Sequence, residues 1–171
     1  YIYSIPVDAF NDPDSDPLTY YYTSGPGWLT FDGSTLSGVP TNTDVGPATV
    51  EILAMDPEFA FVSTTFDITV VNTNDAPTVD QGIAGQTATE NTPFSFTIPA
   101  NAFADEDLGD TLTYQAFGDP AWVTLTGDTF TGTPTQADIA TTNITVRATD
   151  GSGAFVDTSF QLTVDNVNEA P

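Results

Sequence analysis

The chain has 171 residues, and 24 acidic side chains against a single basic one give it a formal net charge of −23, with no Cys and no His. Those absences exclude disulfides, zinc fingers, thiol and haem chemistry and a Ser-His-Asp triad. Arg147 alone cannot build a phosphate-binding surface, which excludes nucleic acid, and no apolar run approaches the roughly 20 residues that cross a bilayer.

Hydrophobic residues at 39% and aromatics at 12% suffice for packed cores, so the acidity does not imply disorder. Charged residues are only 15% of the chain, so the polar surface is mostly Thr, Ser, Asn and Asp, which suits strands and turns better than helices. A surface so acidic and so poor in Lys suits a secreted protein in a salty medium, or carboxylates placed for a metal; composition leaves both open.

In chain order, Tyr1–Phe10 leads into the acid-rich run Asp12-Pro13-Asp14-Ser15-Asp16. Leu18, Tyr20 and Tyr22 then recur at every second position, as in a strand. Ser24-Gly25-Pro26-Gly27 and Asp32-Gly33-Ser34 are turn clusters on either side of Trp28. Val50, Ile52 and Ala54 form a second alternating strand, which ends at Asp56. Phe66, Ile68 and Val70 alternate with Asp67 and Thr69 in a third, followed by the exit Asn72-Thr73-Asn74-Asp75-Ala76-Pro77.

After a leader, Thr78–Pro93, the whole pattern repeats. Phe94–Phe103 matches Tyr1–Phe10, and Asp105-Glu106-Asp107-Leu108-Gly109-Asp110 matches the first acid run with one residue inserted. From Asp16 onward the copies align without a gap: Trp28 falls on Trp122, Gly38 on Gly132, Asp44 on Asp138, Asp56 on Asp150 and Asn74 on Asn168. Short strands at this spacing, with no helical period, predict an all-β chain of two tandem antiparallel β-sandwich modules of about seven strands each. The boundaries are expected at 1–76 and 77–171. The first copy lacks a counterpart of the leader and so an opening strand, and the chain is expected to be a piece of a longer tandem array. Trp28 and Trp122 are expected in the cores.

The acids fall in three clusters per module, each at a strand end: the Asp12 and Asp105 runs, the single Asp56 and Asp150, and the exits at Asn72 and Asn166. In a sandwich the exit lies at the pole opposite the entrance, so tandem modules bring the exit cluster of one against the first cluster of the next. Two carboxylates about 4 Å apart repel by roughly 4 kcal/mol at an effective dielectric near 20. Oxygen-only ligands select a hard cation, and flexible, carboxylate-rich loops favour Ca²⁺ over Mg²⁺. A lone Asp is by default a turn residue, and an EF-hand fails because Pro17 and Thr23 stand where Gly and Glu are required. The recurrence of the triplet with a matched downstream Asp and an Asn-x-Asn exit strengthens the metal reading. No acid lies in an apolar context that would raise its pKa, so a glycosidase-like carboxylate pair is not expected and the chain is read as no enzyme.

The pattern Phe10-x-Asp12-Pro-Asp14-x-Asp16-x-Leu18-Thr19-Tyr20, with Trp28-Leu29-x-Phe31, Leu36-Ser37-Gly38-x-Pro40, Ala54-x-Asp56 and Asn74-Asp75-Ala76-Pro77, resembles dystroglycan-type cadherin-like domains. These are Ig/cadherin-like sandwiches that recur in tandem in large bacterial surface and secreted proteins. The resemblance implies Ca²⁺ at the junction between repeats. Asp105 and Asp107 match the family's Asp-x-Asp pair, Asp150 its later Asp, Glu90 its early Glu, and Asn72, Asn74 and Asp75 its linker. With Asp110 these would form a junction site, Glu90 excepted. Asp12, Asp14, Asp16 and Asp56, and Glu90, Asn166, Asn168 and Glu169, would form outer half-sites, while Asp44 and Asp138 lie near a further acidic motif.

The expected function is thus an extracellular or cell-surface calcium-binding adhesion or spacer module, in which Ca²⁺ bridges and stiffens the junction. Its partners would be neighbouring repeats of the same protein, with homophilic contacts, another surface protein or a polysaccharide as further candidates. Two alternatives stand beside it: a carbohydrate-binding accessory module using Tyr21, Phe59 or Phe117, and a metal-free spacer.

Overall fold

The computed structural model describes residues 1–168 and divides into two compact units, Tyr1–Thr73 and a second beginning at Asn74. Glu169, named above as an outer ligand, lies outside the described residues.

The first unit contains β1 (Ile2–Ser4), β2 (Thr19–Ser24), β3 (Leu29–Phe31), β4 (Thr35–Gly38), β5 (Gly46–Met55) and β6 (Phe61–Val70). They form two antiparallel three-stranded sheets, ordered β1-β4-β3 and β2-β5-β6. The period-two pattern sets the layers: Val50, Ile52 and Ala54 of β5 point inward and are buried, while their neighbours face outward. With Leu29, Leu36 and Ile68 they make the core, against which Tyr20, Tyr22, Trp28 and Phe66 pack. The β3–β4 turn is held by Asp32, whose Oδ1 accepts from the amides of Ser34 at 2.9 Å and Thr35 at 2.7 Å. Gly38 has a different reason to be glycine: a Cβ there would lie 2.0 Å from the Trp28 carbonyl oxygen.

The second unit contains β7 (Thr78–Val79), β8 (Gln86–Thr89), β9 (Phe94–Thr97), β10 (Phe103–Ala104), β11 (Thr113–Phe117), β12 (Val123–Thr126), β13 (Thr129–Gly132), β14 (Thr141–Thr149) and β15 (Phe155–Asp165). The main sheets are β11-β14-β15-β8 and β12-β13-β9, with β10 paired to β7 at one end. The leader therefore joins the sandwich twice: β7 pairs antiparallel with β10, and β8 runs parallel to β15. That parallel pair departs from an all-antiparallel reading. It also lets the leader add Ile83 and Ala88 to a core built on Phe130, Ile144, Val146, Phe160 and Leu162. The Phe130 and Phe160 rings meet edge to face at 5.6 Å. Gly132 repeats the constraint of Gly38, its absent Cβ falling 2.0 Å from the Trp122 carbonyl oxygen.

Candidate metal centre

In the second unit the loop after β10 carries Asp105, Asp107 and Asp110, and one carboxylate oxygen from each lies within 4.8 Å of the others. Among the described residues this is the one such trio. The backbone makes it: the Asp107 amide donates to Asp105 Oδ1 at 2.9 Å, and the Asp110 amide donates to the Asp107 carbonyl at 3.2 Å. Gly109 turns the chain at φ 96°, as Ser15 does at φ 65° in the first copy, which identifies Leu108, 94% exposed, as the inserted residue. The insertion thus bulges into solvent while Asp110 stays beside its partners.

Asp107 and Asp150 are each only 5% exposed. Asp150 directly follows β14, and its Oδ1 accepts from the amides of Ser152 and Ala154 at 2.9 and 2.8 Å, closing the turn into β15. Its Oδ2 accepts from the Asn74 side chain at 3.0 Å, and this bond, ahead of the turn amides, holds the Asp150 carboxyl below the usual carboxylate range. The Asp75 amide donates to Asp107 Oδ2 at 2.8 Å. The first residues of the unit are therefore tied to two of its buried acids.

Asp105 Oδ2 is the exception: it is buried with no hydrogen-bond partner among the described residues. A carboxylate oxygen withdrawn from water without a donor is destabilising by about 1–3 kcal/mol, more with other anions close by. A hard cation taking oxygen ligands would satisfy it, so the donor set fits Ca²⁺ chemistry.

The remaining predicted residues sit differently. Asn72 belongs to the first unit. Asp12, Asp14 and Asp16 do not gather as their counterparts do: Asp12 Oδ1 accepts from the amides of Asp14 at 2.8 Å and Asp16 at 3.2 Å, and Asp14 is exposed where its counterpart Asp107 is buried. Asp56 closes the β5–β6 turn by accepting from the Ala60 amide at 2.9 Å. Glu90 lies near the end of β15, far along that strand from Asp150; it is 3% exposed and accepts from the Val167 amide at 2.6 Å, in a cleft it lines with Asn166 and Asn168. Asp44 and Asp138 are turn caps: each Oδ2 accepts from the amide and hydroxyl of a Thr three residues earlier, at 2.7–2.8 Å, which lowers both pKa values. Residue-type reasoning missed the Asp75 amide, because a backbone donor leaves no signature in sequence.

A family model described as "Putative Ig domain" (He_PIG) matches residues 1–71 and again 76–165. The "Serine-rich adhesin for platelets" of Staphylococcus aureus is 34% identical over 155 residues, which is 90% of this chain but 6% of the adhesin. The chain thus spans a small part of the curated relative it matches. A human mucin-like protocadherin fragment, domains EC1-2, superposes with a TM-score of 0.68 at 16% identity, covering 92% of this chain and 87% of that one. An endo-fucoidan hydrolase from glycoside hydrolase family 107 gives 0.50 at 23% identity, covering 91% of this chain and 24% of the enzyme's. At these identities the structural matches bear on fold alone.

Proposed function

Because the chain belongs to the "Putative Ig domain" family in both of its units, and has the fold of cadherin repeats, we propose that it is an adhesion or spacer segment of an extracellular surface protein that binds Ca²⁺ at the acid loop of its second unit. Asp105, Asp107 and Asp110 would hold the ion, with Asp150 beside them. The observation that carries the reading is the orphaned Asp105 Oδ2 inside a trio of carboxylates.

The ion's contribution is electrostatic: it offsets the repulsion among the acids and satisfies the oxygen that the protein leaves unpaired. The protein's part is positional. Asn74 and Asp75 already hydrogen-bond Asp150 and Asp107, so fixing those acids also fixes the segment by which the chain enters the second unit. Bridging between repeats, which the cadherin resemblance implies, would follow from stiffening this entry. No catalytic role is assigned, and the 6% of the adhesin that is matched supports a surface location without identifying a receptor.

Affinity is expected in the range of extracellular modules, about 10⁻⁴ to 10⁻³ M. Calorimetric titration of the chain with Ca²⁺ should give a saturable isotherm in that range. Asp105→Asn combined with Asp107→Asn should abolish it; an unchanged isotherm in the double variant would remove the site.

A further inference from the structure

The outward face of the β2-β5-β6 sheet in the first unit carries an apolar patch that the architecture does not require. Tyr21 lies opposite Leu53, and Met55 opposite Phe61, all on the side away from the buried Ile52 and Ala54. Tyr21 is 43% exposed and Phe61 70%; Phe59, in the adjoining turn, is 75% exposed. Phe59 also sits at φ 68°, in the left-handed region, where a bulky side chain is disfavoured.

The second unit is an internal control. At the matching positions it has Gln115 for Tyr21, Arg147 for Leu53, Thr149 for Met55 and Gly153 for Phe59, with Phe155 retained opposite Thr149. There Arg147 pairs with Asp157 at 2.8 Å, lies over the Phe155 ring at 3.6 Å and reaches the Phe117 ring at 5.3 Å, so both exposed aromatics of this face are capped by a charge. Gly153 takes the same turn conformation at φ 93° without strain. The same sheet is therefore built with a face whose aromatics surround a cation in one copy, and with a face centred on Leu53 and Met55 that has no cation in the other. Nor does a leader strand account for the difference, because β8 adds at the sheet edge beside β15 and leaves this face open.

We propose that this face of the first unit docks a protein partner whose contacting surface is apolar and ringed by Lys or Arg. Exposed Tyr and Phe rings around half-buried Leu and Met are the kind of surface that anchors protein interfaces. The surroundings set the sign: Glu51, Asp56 and Glu58 border the patch, and no Lys or Arg occurs anywhere in Tyr1–Thr73. A second copy, itself at −23, is repelled, and so is any polyanion. A neutral glycan stacks on flat rings, whereas the centre of this face is aliphatic, Leu53 and Met55. The proposal does not depend on the calcium site.

The test compares the full chain with a charge-neutral variant, Tyr21→Gln, Leu53→Thr, Met55→Thr and Phe59→Gly, three of whose replacements stand at those positions in the second unit. The probes are a short peptide alternating Lys and Leu and an equally charged one alternating Lys and Ser, at about 0.15 M salt. The parent should bind the Lys–Leu peptide at least about tenfold more tightly than the Lys–Ser peptide, and the variant, still folded by circular dichroism, should lose that preference. Equal binding of the Lys–Leu peptide by parent and variant would overturn the proposal. So would retardation of the parent, but not the variant, by a neutral polysaccharide such as hydroxyethyl cellulose, or a concentration-dependent dimer that only the parent forms in sedimentation.

Discussion

Asp105 and the paired glycines Gly38 and Gly132 show how much a single side chain decides here. In the absence of a cation, Asp105 adds a carboxylate with one buried, unsatisfied oxygen to a loop already holding Asp107 and Asp110. Asp105→Asn should therefore raise stability in EDTA by about 1 kcal/mol while lowering it in saturating Ca²⁺ relative to the parent. That crossing, read by urea denaturation in both buffers, separates a ligand from a turn residue, which would change stability in one direction only. The glycines make an opposite case, in which the missing atom matters. Gly132→Ala would drive its Cβ to 2.0 Å from the Trp122 carbonyl oxygen, forcing the β13 backbone off its partner; a loss of about 2–3 kcal/mol is expected. Gly27→Ala, with no atom within 4 Å, should stay within about 0.5 kcal/mol. Equal losses at the two positions would refute the packing argument.

Turns and strands differ in how far their sequences disclose them. The alternation in β5, β6, β14 and β15 predicts both their existence and their buried faces, because period two is a physical consequence of the pleat. β7 and β10, two residues each, are too short to carry a period, and in β8 only Ala88 is buried among Gln86, Thr87 and Thr89, so the parallel pair with β15 left no apolar signature. The candidate site was legible where its chemistry resides in side chains, at Asp105, Asp107, Asp110 and Asp150. It was illegible where the backbone of Asp75 supplies the donor. The apolar face was illegible for another reason: the alternation turns Leu53 and Met55 outward, but only the strand pairing brings Tyr21 and Phe61 beside them. Asp44 and Asp138, near a family acidic motif in sequence, serve their own turns. Their pKa values are held down mainly by the amides of Thr41 and Thr135. A depressed carboxylate contributes stability above its unfolded pKa, near 3.9, and that contribution is lost as pH falls through the lower folded value. Asp44→Asn with Asp138→Asn should therefore lower stability at pH 7 and flatten the loss seen below about pH 4; an acid limb as steep as the parent's would show that other groups govern it.

At the scale of the whole molecule, a net charge of −23 with one cationic side chain makes self-repulsion a standing destabilising term and makes any bound cation disproportionately stabilising. The repeat therefore combines two packed β units with a loop that gathers three acids, Asp105, Asp107 and Asp110. Sodium chloride should raise the melting temperature gradually by screening, so a specific site must be read against matched ionic strength. At ten times the dissociation constant, a single Ca²⁺ site adds about 1.4 kcal/mol, which for a unit of this size corresponds to roughly 4 °C or more. The deciding measurement is thermal unfolding of the chain in EDTA, in millimolar Ca²⁺ and in millimolar Mg²⁺, all brought to one ionic strength with NaCl. The calcium account predicts a rise of at least about 4 °C in Ca²⁺ over both other buffers. Coincident transitions in all three would contradict it and leave Asp105, Asp107 and Asp110 as a strained turn on a salt-adapted surface.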